Sequence, residues 1–90
     1  MKGKIKKVEI TRLRKLLQLW GVNQKQFARL LGVEPPLVTY YFQGKKRPGR
    51  DVLERLVRYG VSMEWYFLGE GEIITDIERY NKLLVKIKMT

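Results

Sequence analysis

Apolar residues recur along the chain at intervals of three and four, the spacing that lays one greasy stripe down an α-helix. Leu13, Leu16, Leu17 and Trp20 fall at i, i+3, i+4 and i+7, with Arg12, Arg14 and Lys15 turned away, which predicts a first helix over 10–20. Phe27, Leu30 and Leu31 form the buried side of a short second helix over 24–31. Asn23 stands at its N-cap, and Gln26 three positions on can reach back to the Asn23 amide, the reciprocal pairing of a capping box. A third helix over 36–43 puts Leu37, Val38, Tyr41 and Phe42 on one side and leaves Pro36, Thr39, Tyr40 and Gln43 on the other. Val52, Leu53, Leu56 and Val57 predict a fourth over 51–59, and Ser62 caps a fifth over 63–68 that carries Trp65. Gly21, Gly32, Gly44, Gly60 and Gly69 each follow such a stretch, where a left-handed residue commonly ends a helix.

A last amphipathic stretch spans 75–88. Ile73, Ile77, Tyr80, Leu84 and Ile87 are spaced 4, 3, 4 and 3 apart, a seam for another subunit or a cover for the chain's own core. Val85, Ile87 and Met89 also alternate with Lys86 and Lys88, so a short terminal strand stands as the alternative to a helix there. The expected fold class is all-α. Its parts are a basic arm over 1–9, a helical domain over 10–72 and an extension over 73–90 that is a candidate dimerisation helix.

Composition narrows the chemistry. The 90 residues make one small domain and contain neither Cys nor His. Disulfides and thiolate sites are excluded, and the commonest general base and metal ligand is missing. Glu64, Glu70, Glu72, Asp76 and Glu78 lack cation-ligand spacing and read as a solvated acidic surface. No catalytic residue, cofactor or metal is expected, and the chain does not read as an enzyme. No apolar run approaches the roughly 20 residues of a membrane span. The opening Met1-Lys2-Gly3-Lys4-Ile5-Lys6-Lys7 lacks the apolar stretch of a signal peptide, so a cytoplasmic protein is expected.

Charge points to a partner. Lys and Arg number 19 against 9 acids, a formal net charge of +10. Residues 1–50 carry thirteen of those cations and two acids (Glu9 and Glu34), whereas residues 51–90 carry six cations and seven acids. A positive face attracts polyanions, and nucleic acid is the leading candidate. Lys2, Lys4, Lys6 and Lys7 form an arm suited to a groove or a phosphate backbone.

Two short helices joined by Gly32-Val33-Glu34 have the spacing of a helix-turn-helix, whose second helix turns its outer face to the major groove. With the run Asn23-Gln24-Lys25-Gln26-Phe27-Ala28-Arg29-Leu30-Leu31-Gly32-Val33, then Val38, Gly44-Lys45-Lys46-Arg47-Pro48 and Gly60-Val61-Ser62-Met63-Glu64-Trp65, the chain resembles the lambda-repressor-like (Cro/CI-type) helix-turn-helix family over roughly residues 11–73. The resemblance implies a five-helix domain, double-stranded DNA as partner, a homodimer and no catalysis. It implies that Gln24, beside Lys25, bonds a phosphate or supports the third helix. Pro35, Pro36, Thr39 and Tyr40 would face base edges, while Gln43, Lys45, Lys46 and Arg47 follow the backbone. The function so implied is a sequence-preferring transcriptional regulator, a repressor of phage or plasmid type. An antitoxin-like interaction module, with a protein partner on the C-terminal stretch, is the alternative.

Three departures from the family stand out. Pro35-Pro36 occupies positions where polar base readers are common, and proline has no amide donor. Leu17 and Phe42 stand where many members pair an Arg with a Glu, an exchange that strands no buried charge. Glu34 would repel phosphate unless it turns inward or caps the third helix. Tyr41 and both tryptophans are expected in the core, and Tyr40 outside it.

Overall fold

Local signals set most of the helices, and long-range contacts move their ends. The computed structural model describes residues 6–89, so the arm lysines Lys2 and Lys4 lie outside the described residues. Six helices follow in order: α1 (Lys7–Trp20), α2 (Gln24–Leu31), α3 (Pro35–Phe42), α4 (Arg50–Arg58), α5 (Met63–Leu68) and α6 (Ile77–Lys88). Among the described residues β-structure is confined to one antiparallel bridge between Val61 and Ile74. α3 packs on α2 and α1, α5 on α1, and α4 on α2. The core runs through all six, with Leu13, Leu16 and Trp20 meeting Phe27, Ala28, Leu31, Val38, Tyr41, Val52, Leu56, Tyr66 and Leu83. Trp20 lies 5.3 Å from Phe27 and edge-on to Tyr59 at 5.7 Å, a packing role as expected.

α2 and α5 have the expected bounds because their caps are local. The Gln26 amide donates to Asn23 Oδ1 at 2.8 Å and the Asn23 amide to Gln26 Oε1 at 3.0 Å, while Ser62 Oγ accepts from the Trp65 amide at 3.1 Å. α1 begins three residues before the expected start, inside the stretch read as an arm, because Glu9 is drawn beneath the fold. α3 begins at Pro35, whose ring suits a first helical position. Val57, expected inward, is 42% exposed. Val52, Leu56 and Tyr59 define the buried side of α4, and Val57 lies well round the helix from them.

α6 is a helix to Lys88, so the alternation at 85–89 does not form a strand. Its inner face is rotated from the expected seam. Leu83 is the buried anchor at 2% exposure, flanked by half-buried Tyr80 and Ile87, whereas Ile77 is 59% exposed. The chain reaches α6 through a close crossing at Gly60. The Gly60 carbonyl accepts from the Thr75 amide at 2.9 Å, and φ there is +89°. A Cβ on Gly60 would stand 2.3 Å from the Asp76 carbonyl oxygen. Only glycine fits that crossing.

Candidate nucleic-acid interface

The capping box fixes where α2 starts and leaves Gln24 and Lys25 exposed in its first turn. α2 ends at Gly32, whose φ of +74° lets its amide turn back to the Ala28 and Arg29 carbonyls. Val33 and Glu34 then lead into α3 at an angle. Val38 (0% exposed) and Tyr41 (2%) pin the inner side of α3 to the core. Its outer side is therefore left to Pro35, Pro36, Thr39 and Tyr40, of which Thr39 is half-buried and the others exposed. The Thr39 hydroxyl donates to Gln24 Oε1 at 3.4 Å, which ties the two helices together on this side.

Six of the ten expected site residues share one shallow depression: Gln24, Lys25, Pro35, Pro36, Thr39 and Tyr40. Its surface is mainly apolar, from the proline rings and the tyrosine. Pro35 and Pro36 supply no amide hydrogens, so the start of α3 is a poor anion cradle. Glu34 sits at the N-cap position, is exposed, and makes no capping bond with its side chain. It neither turns inward nor caps. Gln43, Lys45 and Lys46 follow the end of α3 and are exposed, with the Lys45 amide held to the Tyr40 carbonyl at 2.9 Å.

Arg47 is engaged elsewhere. One of its terminal nitrogens lies 3.3 Å from Glu9 Oε1, and its guanidinium carbon stands 5.8 Å from the Phe67 ring centroid. Glu9 is only 3% exposed, and its other oxygen accepts from the Tyr66 hydroxyl at 3.1 Å. A carboxylate at that depth requires such partners. Burial, and then the neighbouring Glu9 charge, push the Tyr66 phenol far above its ordinary pKa. Arg12 donates to the Tyr66 carbonyl at 2.8 Å, and Pro48 beside Arg47 is buried. The loop carrying Lys45 and Lys46 is thereby clamped to α1 and α5. Sequence reasoning missed this cluster. Its one trace was a lone early acid in a basic half, since partners 57 residues apart leave no periodic signal.

Leu17 and Phe42 are both half-buried against the core, as the paired exchange requires. Phe42 also stacks on Phe27 and lies beneath the Arg14 guanidinium, 4.6 Å from its ring centroid. Among the described residues no group of acids is arranged to hold a metal ion. No helix there is long and apolar enough to cross a membrane.

A capped short helix laid over a second, whose outer flank is excluded from the core, defines a helix-turn-helix protein. The helix-turn-helix family model matches residues 13–66, and the chain belongs to that family, in its lambda-repressor-like (Cro/CI-type) branch. It is a DNA-binding regulator in class. No curated protein and no solved structure matches the chain.

Proposed function

We propose that the chain represses transcription, in the manner of phage and plasmid repressors, by binding an operator in double-stranded DNA as a homodimer. α3 enters the major groove. Thr39 and Tyr40 meet base edges, and the rings of Pro35 and Pro36 meet thymine methyls. Gln24, Lys25, Gln43, Lys45 and Lys46 lie along phosphates, with Arg47 shaping the loop and adding its charge. The observation that carries this reading is the exposed outer side of α3, sharing one depression with the start of α2.

Selection of bound duplexes from random DNA at two salt concentrations tests it. The expected product is a two-fold symmetric site with half-sites about 34 Å apart. Thr39→Ala and Tyr40→Ala should change the preferred bases and leave the salt slope alone. Lys45→Gln with Lys46→Gln should weaken binding to every sequence and flatten the log–log slope by about 2. Equal losses on all sequences from the α3 variants, or RNA competing better than duplex DNA, would defeat the reading.

One observation favours an interaction module instead. Ile77, Val85 and Met89 are 59%, 57% and 82% exposed along α6, apolar surface that suits a protein contact. Sedimentation separates the two. A dimer that Val85→Lys dissociates supports the repressor, whereas a monomer that ignores the operator favours the module.

A further inference from the structure

Residues 51–90 are close to neutral by count, yet their cations converge in space. Arg58 at the end of α4 and Arg79, Lys82 and Lys86 of α6 line one depression over Tyr59 and Leu83, and no carboxylate lines it. The three α6 cations follow at i, i+3 and i+7, one narrow stripe beside the helix's buried face. Lys86 also borders an adjoining hollow together with Arg29 of α2. All five cations are exposed. Arg79 reaches the Asp76 carboxylate at 3.3 Å, while Arg29, Arg58, Lys82 and Lys86 enter none of the ion pairs among the described residues.

This stripe and the helix-turn-helix depression share no lining residue. On α2 the pair Gln24 and Lys25 is followed round the helix by a second group, Gln26, Arg29 and Leu30, with Arg29 one turn on from Lys25. The first pair borders the depression at α3, and the second borders the hollow at Lys86. A duplex on α3 and a duplex on the α6 flank would therefore engage different residues.

We propose that the α4–α6 flank is a second binding surface, for the phosphodiester backbone of a second DNA duplex. Clustered cations, of which only Arg79 is offset by a carboxylate, focus a positive field on a short arc, which suits closely spaced phosphates. Ammonium and guanidinium donors satisfy phosphate oxygens without reading bases. One protomer thus holds two segments of DNA, one by groove and one by backbone.

The test is an amide-shift titration of the intact, isotopically labelled chain with a duplex of about one helical turn. Two duplexes should bind each protomer, shifting one set of amides across 24–46 and another at Arg58 and 79–86. Lys82→Gln with Lys86→Gln, both exposed, should melt like the parent, lose the second set and keep the first. Lys45→Gln with Lys46→Gln should weaken the first set and spare the second, so failure of the operator reading and failure of this one are told apart. Salt should weaken the second event steeply in the parent chain. Amides at 58 and 79–86 that stay fixed at saturation overturn the proposal. So does a parent-like stoichiometry in the Lys82/Lys86 variant, or a poly-glutamate peptide that displaces the duplex from this flank at lower concentration.

Discussion

Arg47 belongs to the run of cations after α3, yet its contact is with a buried carboxylate. Arg47→Ala would leave Glu9 with the Tyr66 hydroxyl as its remaining partner. The expected loss in folding free energy is about 1–3 kcal/mol, the penalty for orphaning a buried polar group. The lower end is favoured because the Arg47 side chain is 46% exposed and partly screened. Adding Glu9→Gln should recover most of it, and a urea double-mutant cycle measures the coupling; purely additive losses would argue against the clamp. Tyr66 gives a separate signature in alkali. Its pKa is raised on folding, so the unfolded chain loses the phenolic proton first, near pH 10. The stability tied to this group is whole below pH 10 and falls above it, by up to about 1.4 kcal/mol per pH unit. Burial raises Tyr41 and Tyr80 in the same direction, so Tyr66→Phe should make the decline shallower without abolishing it. Thermal midpoints measured above pH 10 check the difference in slope.

At the scale of elements, the joint between α4 and α6 is the least tolerant. Gly21 has a positive φ and open space about its Cα, so Gly21→Ala should cost about 1 kcal/mol for the left-handed backbone alone. Gly60→Ala carries the same strain and drives a methyl against the Asp76 carbonyl, which only movement of α6 relieves. A loss of about 3 kcal/mol or more is expected, and thermal melts of the two variants side by side give the comparison. Elements fixed from within one turn are legible in the sequence, and those fixed by distant contacts are not. α2 and α5 were legible to the residue because Asn23 and Ser62 cap from within one turn. The outer side of α3 was legible as the complement of Val38 and Tyr41. The start of α1 was not, because it depends on Glu9 meeting residues far along the chain. For α6, stripes through Leu84 and through Leu83 both satisfy helical spacing, and packing against the rest of the fold selects the second. The clamping of Arg47 was hidden for the same reason as Glu9: a loop cation and an early acid become neighbours only in three dimensions.

For the whole molecule, α6 belongs to the same core as the helix-turn-helix. Leu83 is among the most deeply buried side chains, so Leu83→Ala should cost about 2–5 kcal/mol. A chain ending at Glu72 should lose cooperative unfolding, read by circular dichroism in urea; a parent-like midpoint would show α6 to be an appendage. One further consequence comes from the clasp between α1 and the segment bearing Lys45 and Lys46. Held from behind by Glu9 through Arg47, with Pro48 sunk into the interior, that segment reaches a duplex already shaped. Little backbone freedom is surrendered on docking, and association should run at a pace set by diffusion and electrostatic steering instead of by loop rearrangement.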